Sequence, residues 1–360
     1  VKKILLAVST DLNTDQRMLR IANSLQQAGY QVKLVGRKKS DSQPLFKQTF
    51  KQVRLRTFIE KGFLFYSLFN LRLFFYIVTQ RMAIITAADL DVLPACWLAA
   101  RLKRCRLVYD AHEIFTEVPE LAQRPRVKGF WLWLEQKLIP RVDAAYTVNQ
   151  SLANWYQAAY NIHFDVVKNL PVSQPIQLKA ETGDYLLYQG ALNAGRGLET
   201  LLEIVQYTNI PCVIVGDGDI KVALEKQVEE LGISELVRFT GRLNRIEMMA
   251  HTQNCWLGFN LLEKSSLNYY YSLANKFFDY VQAGKPQLCM NFPEYASFQS
   301  QYEVAVLVDS LDTVQLSEQL LGLRKNKALY NQLAENCKQA AKKWIWEHEE
   351  ANLWTIYGRL

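Results

Sequence analysis

The chain has 360 residues, 49% hydrophobic and 21% charged, with glycine and proline at ordinary levels; this excludes a disordered or collagen-like chain, and the length favours two domains over one. The formal net charge of +7 would suit nucleic acid, a membrane surface or a phosphorylated ligand, and charge alone does not choose among them. Cys96, Cys105, Cys212, Cys255, Cys289 and Cys337 lack paired spacing, which fits buried thiols in a reducing compartment better than a disulfide frame or zinc site.

The sequence opens on a strand-like run, Val1 to Val8. With no secretory leader ahead of it, a cytoplasmic protein is the expectation. Strand Ile4–Ser9 is followed by a helix from about Asp15 to Ala28, closed by Gly29, and by strand Gln31–Val35. From Lys47 to Lys61 five cations accompany one anion, Glu60. The segment that follows, Gly62 to Val78, is rich in Phe, Leu and Tyr, but Asn70 and Arg72 would make spanning a bilayer costly. Two readings stand for residues 47–78: a basic and aromatic segment lying on anionic lipid, or a core helix beside a solvated basic loop. Strand Met82–Thr86, helix Pro94–Leu102, strand Arg106–Tyr109, a helix around Phe130–Ile139 and strand Ala144–Val148 complete a first alternating half.

The pattern then restarts. Strands are expected at 184–188, 211–215, 237–240, 255–260 and 286–290, and helices at 197–205, 221–231, 245–251 and 275–283. Strands separated by helices imply parallel, doubly wound sheets, here two in succession with a boundary near Asn169 to Ala180. In such folds ligands bind at strand C-terminal ends, and two facing lobes would place them in the intervening cleft. A last helix, Ala328 to Leu360, carries Trp344, Trp346, Trp354 and Tyr357 at spacings that suggest packing, and would fasten the lobes.

Four segments could carry chemistry. Gly216-Asp217-Gly218 ends a strand and leads to a helix, where glycine lets a phosphate approach backbone amides; a tight turn needs the same residues. Gly190 to Gly197 joins another strand to a helix and places Arg196 beside the positive helix end. That suits a diphosphate clamp, the alternative being a surface arginine in a glycine-rich turn. Asn275 can cap a helix whose first turn holds Lys276, a cation out of place there unless an anion binds. Asp279 lies three residues on, and the two read either as a phosphate cation with a ribose carboxylate or as a surface ion pair. His112 follows a strand in Tyr109-Asp110-Ala111-His112-Glu113, and a lone histidine is more often structural.

Together these segments resemble the retaining glycosyltransferases of the GT-B fold, family 4 (group 1 type). The resemblance rests on Asp15-Gln16-Arg17-Met18-Leu19-Arg20-Ile21-Ala22, Asp89-Leu90-Asp91, Tyr109 to Glu113, Tyr188 to Gly197, Val215 to Gly218, Val237 to Gly241, and Leu273 to Tyr280 with Ala283 to Pro286. It covers nearly the whole chain. It implies an α/β GT-B fold of two Rossmann-like domains facing a cleft. Residues 1–170 would bind acceptor, 171–340 a nucleotide-sugar donor, and 341–360 would form a helix packing back on the first domain.

The resemblance also implies roles. His112, Arg196 and Lys276 are the catalytic candidates, with His112 near the reacting sugar carbon. Gly190, Gly216, Gly218, Gly241, Arg242, Leu273, Ala274, Asn275 and Asp279 are the donor-binding candidates, Asp279 taking the ribose and Gly241 and Arg242 the base. Thr14, Asp15, Arg17 and Asp89 are the acceptor-side candidates. Three departures stand out: Ala191 where an arginine is usual, Tyr271 where the first of two paired glutamates is usual, and Asp279 where the second is. The loop Thr10 to Thr14 also lacks the usual glycines.

The expectation is therefore transfer of a hexosyl or N-acetylhexosaminyl group from a nucleoside-diphosphate sugar to a glycan or lipid-linked acceptor, in surface polysaccharide or glycoconjugate synthesis. No obligatory cofactor or metal is expected, and no nucleic acid partner. An anionic membrane surface is a candidate partner through residues 47–78, as a peripheral association on the inner face. The competing readings are a nucleotide-sugar epimerase of the same architecture and a catalytically silent sugar-nucleotide-binding scaffold.

Overall fold

Short apolar runs bounded by glycine and polar residues become strands buried on both faces, as parallel sheets flanked by helices require. The computed structural model describes residues 1–118, 121, 124–173 and 183–360. It divides into two units, one of residues 1–169 with 349–360 and one of residues 170–348. Residues 174–180 of the expected boundary lie outside the described residues.

In the first unit the elements are β1 (Lys3–Ala7), α1 (Gln16–Gln27), β2 (Gln31–Lys38), β3 (Lys51–Arg56), α2 (Gly62–Thr79), β4 (Ile84–Ala88), α3 (Leu93–Lys103), β5 (Arg106–Ala111), α4 (Pro125–Leu138), β6 (Ala144–Thr147), α5 (Gln150–Tyr160) and β7 (Asp165–Val166). The sheet is parallel, in the order β3-β2-β1-β4-β5-β6-β7. The strand order reverses between β1 and β4, so the C-terminal ends of these strands open a natural crevice.

The basic stretch is not a loop. It contains β3, an edge strand whose Arg54 is buried against Asp11 at 2.8 Å, while Lys47, Lys51, Arg56 and Lys61 stay exposed. The strand expected at Met82–Thr86 sits two residues later, because Met82 belongs to the turn that leaves α2.

The aromatic stretch is α2, which is long and apolar enough to cross a membrane. It buries one stripe, Phe65, Phe69, Leu73 and Ile77, at a spacing of four residues. Asn70 ties it to the unit, donating to the Asp91 carbonyl and accepting from the Ala95 amide. Arg72 donates to the Arg56 carbonyl.

The second unit holds β8 (Leu186–Gln189), α6 (Leu198–Thr208), β9 (Cys212–Val215), α7 (Lys221–Glu230), β10 (Val237–Gly241), α8 (Arg245–Asn254), β11 (Leu257–Asn260), α9 (Leu267–Tyr270), α10 (Asn275–Gln282), β12 (Gln287–Met290), α11 (Pro293–Gln299), β13 (Ala305–Val308), α12 (Thr313–Lys325) and α13 (Lys327–Ala341). Its parallel sheet runs β10-β9-β8-β11-β12-β13, with the reversal between β8 and β11.

The single helix expected over Ala328–Leu360 breaks at residues 342–345, giving α13 and α14 (Trp346–Gly358). Trp344, in the break, is buried against Phe277, Phe278 and Phe298 of the second unit. From Glu349 onward the chain belongs to the first unit. There the Tyr357 hydroxyl lies 2.7 Å from that of Thr86, and the Trp354 indole donates to the Ser24 carbonyl. All six cysteines are unbridged, and five of them are buried.

Backbone proximity accounts for the glycines after β9. A Cβ at Gly216 would lie 1.8 Å from the Gly190 carbonyl oxygen, and one at Gly218 would lie 2.4 Å from that of Leu192. Gly216 also has φ of +146°. Gly216→Ala is therefore expected to cost about 3 kcal/mol by overpacking and backbone strain. Urea unfolding would measure this, and a midpoint equal to wild type would refute it.

Candidate functional sites

Each unit gathers polar residues at the C-terminal ends of its central strands. In the first unit the centre is His112, which follows β5 and is 24% exposed at its side chain. Its Nδ1 lies 3.1 Å from Asp89 and its Nε2 3.1 Å from Asp110, and its backbone amide donates to Asp89 at 2.9 Å. Asp89 reaches this position with φ of +65°, a left-handed conformation that non-glycine residues adopt seldom.

Arg17, on α1, completes the chain of charges. It donates to Asp110 at 2.9 Å and to the Val167 carbonyl at 3.0 Å, and is 5% exposed. Burial alone would lower the His112 pKa, but Asp89 and Asp110 outweigh it and hold it well above the ordinary histidine range. Burial would raise Asp110, yet Arg17 and His112 bring it down to about 2. The imidazole is thus a cation with both ring nitrogens committed to carboxylates.

Asp91 lies beside this chain, across the strand-order reversal from Ser9, whose hydroxyl it accepts. Burial, then Asp89, raise it to about 7. Thr14 and Asp15 serve local structure. The Thr14 hydroxyl bonds the Asp11 carbonyl, and Asp15 caps α1 through the Met18 amide. The structure therefore brings Arg17, Asp89 and His112 together and leaves Thr14 and Asp15 in the preceding turn.

In the second unit, Lys276 occupies the first turn of α10, as expected, but the helix is capped by Ala274 and not by Asn275, which is its first residue. The Ala274 backbone is extended, and its amide donates to the hydroxyl of Tyr295, 21 residues on. Leu273, just before it, packs against the unit's core. Lys276 is 6% exposed. Its ammonium lies 3.8 Å from the centre of the Tyr188 ring and has no hydrogen-bond partner among the described residues.

Burial, and then Arg196, hold the Lys276 pKa well below the ordinary lysine range. Arg196 is half-buried in the loop after β8, its guanidinium 5.9 Å from the Tyr269 ring, and its Nε is buried without a partner. A buried lysine and a half-buried arginine side by side, each with a donor unspent, form a site that an anion would complete.

Asp279 does not pair with Lys276. Its carboxylate is gripped by both terminal nitrogens of Arg245, at 2.7 and 3.0 Å, and by the Gln189 amide at 2.9 Å. Gln189 is the last residue of β8, and its own carbonyl accepts from Thr252 at 2.7 Å. The sequence reading missed Arg245. Asn244 and Glu247 form a capping box that places it at the start of α8, but its partner lies 34 residues away. Gly190, Gly216 and Gly218 line the adjoining strand ends, where close backbone packing explains Gly216 and Gly218 and a φ of +138° explains Gly190. Gly241 has φ of +71° with nothing within 4 Å of a built Cβ. Arg242 is 81% exposed at its side chain and only 3.9 Å from Asp217.

Residues 15–170 match the family described as Glycosyltransferase Family 4, and residues 172–344 match Glycosyl transferases group 1. The O-antigen chain mannosyltransferase C of Escherichia coli is 26% identical over 146 residues, which cover 38% of this chain and 39% of that protein. Sucrose-phosphate synthase of Thermosynechococcus elongatus superposes with a TM-score of 0.82 at 15% identity, covering 100% of this chain and 99% of that one. HepE of Anabaena in complex with UDP-glucose superposes with a TM-score of 0.74 at 13% identity, covering 100% of both chains.

The His112 ion chain sets a pH test. Its pKa is raised above the unfolded value, so the stability it adds is full below the unfolded pKa of about 6.5 and is lost as pH rises through the folded one. His112→Ala is expected to cost about 2 kcal/mol at pH 6. That cost should shrink in alkaline solution, read as the difference in melting temperature between wild type and variant across pH. A constant difference would contradict the charged assignment.

Proposed function

Starting from a chain that belongs to glycosyltransferase family 4, group 1 type, with the GT-B fold, we propose that the second unit binds a nucleoside-diphosphate sugar and that the enzyme transfers its sugar with retention of configuration. The observation that carries this reading is the Lys276 ammonium, buried without a hydrogen-bond partner beside Arg196. The HepE complex with UDP-glucose supports a nucleotide-sugar ligand, and the mannosyltransferase relative supports a glycan acceptor.

Departure of the nucleoside diphosphate builds negative charge. Arg196 and Lys276 would receive it without a metal, Lys276 being already buried and Arg196 holding a buried, unpartnered Nε beside it. The amides at the start of α10 reinforce them. On this reading attack comes from the front face, and the group moved is hexosyl or N-acetylhexosaminyl. The first unit takes the acceptor, a glycan or a lipid-linked saccharide in surface polysaccharide synthesis. His112 then acts toward the sugar through its charge, since Asp89 and Asp110 occupy both ring nitrogens.

Lys276→Ala is expected to lower donor turnover about a hundred- to a thousand-fold while leaving the circular dichroism spectrum unchanged. Near-normal turnover would sink the assignment. In a panel of nucleotide sugars, release of free nucleoside diphosphate supports transfer. A changed sugar with the nucleotide intact would instead identify an isomerase, and binding without turnover a scaffold, the outcome that Ala191 and Tyr271 would favour.

The first unit also presents a surface suited to anionic lipid. On α2 the side opposite the buried stripe exposes Phe63 and Phe75, at 64% and 60%. Phe63 lies 5.5 Å from Phe130 of α4, which is 6.2 Å from Trp133. Exposed Arg101, Arg104, Arg124 and Arg126 stand on or beside α3 and α4. Exposed aromatic side chains together with exposed cations on the same unit are the composition that binds a lipid interface. Flotation with vesicles containing anionic phospholipid should capture the protein at low salt, and the triple substitution Phe63→Ser, Phe130→Ser, Trp133→Ser should cut capture at least tenfold. Equal recovery of wild type and variant would remove the membrane from this reading.

A further inference from the structure

The carboxylate expected to take the donor ribose is already largely spent. Asp279 is 5% exposed, and three hydrogen bonds from Arg245 and Gln189 occupy its oxygens. An ionised carboxylate offers about four acceptor positions. One therefore stays open, on the oxygen that receives the single bond from Arg245. Arg245 is in the opposite condition. Its side chain is 48% exposed, and of the roughly five N–H groups of a guanidinium two point at Asp279. The outward N–H groups have no partner among the described residues.

The guanidinium is also held rigid. Asp279 grips it in bidentate fashion, which fixes its plane. It opens α8, four residues after Gly241, whose Cβ direction meets open space. A fixed, half-exposed donor edge and one remaining acceptor position thus sit side by side. Their chemistry matches a vicinal diol: one hydroxyl donates to Asp279, and the oxygen of its neighbour accepts from Arg245.

We propose that Arg245 is a specificity-determining residue for the donor, reading the ribose diol together with Asp279 and so selecting ribonucleotides over deoxyribonucleotides. This rests on the reading of the second unit as a nucleoside-diphosphate site, and its test separates the two. Isothermal titration of the full chain would use UDP and GDP, followed by the 2′-deoxy and 3′-deoxy analogues of whichever binds. Wild type is expected to prefer the ribonucleotide over at least one analogue by about 10- to 100-fold, the worth of a hydrogen bond to a charged group.

Arg245→Met should weaken ribonucleotide binding to the level of that analogue and leave the analogue's own affinity unchanged, so that discrimination collapses. Arg245→Lys, which keeps the charge but not the fork, should restore part of it. Removing Arg245 strands a buried carboxylate, so the double variant Arg245→Met with Asp279→Asn serves if the single one unfolds. It should show the same collapse. Equal loss for ribonucleotide and deoxy analogue, or undiminished discrimination in the variants, would overturn the role of Arg245 alone. Failure of wild type to bind any nucleoside diphosphate would overturn the donor site itself and this inference with it.

Discussion

The Lys276 ammonium, held under the Tyr188 ring with its N–H groups unbonded and Arg196 close by, embodies the constraint that shapes the second unit. A charge taken out of water must find an opposite charge or hydrogen-bond partners, or the fold loses stability. Here the remaining partners within the unit are aromatic rings and a second cation. Stability is given up locally to hold the two side chains together, which on the proposed reading prepares them for an anion, and the rest of the unit supports that position. Phe277 and Phe278, flanking residues of the same helix, anchor it in a cluster of rings around Phe298 and Trp344.

The first unit answers the same constraint by alternation. Arg17, Asp110, His112 and Asp89 follow one another as cation, anion, cation, anion, each within hydrogen-bond reach of the next. Because every buried charge is neutralised, the result is a rigid, fully bonded cluster in place of an open anion site. On the proposed reading its consequence for chemistry is specific: a histidine whose ring nitrogens are both engaged by carboxylates contributes field and shape, not proton transfer. Next to it Asp91 is raised to about 7 by burial and then by Asp89, which outweigh Ser9 and His112.

Helix α2 is a core helix on one side and an apolar surface on the other. A stripe at a spacing of four residues enters the core, and the opposite side stays apolar and exposed. Composition sees only that the segment is apolar. Which residues turn inward depends on the α3 and β3 surfaces that it packs against, and on Asn70, whose amide bridges to the start of α3. The basic stretch before it was opaque for a similar reason. Nothing local marks Lys51–Arg56 as a strand, because an edge strand pairs through backbone groups and tolerates charged side chains.

By itself the sequence determined the alternation of strands and helices, the two-sheet architecture, the glycine turns after β8 and β9, and the placing of Lys276 in a first helical turn. All of these follow from interactions within a few residues: hydrophobic period, backbone torsion and helix-end charge. Only the tertiary structure decided the partners of the charges. Asp279 meets Arg245 across 34 residues, and Arg17 meets Asp110 across 93. Lys276, three residues from a carboxylate, meets none, because α10 is buried around its circumference and turns the two side chains toward different neighbours. Local pattern sets which residue stands at a strand or helix end, whereas packing sets what it faces there.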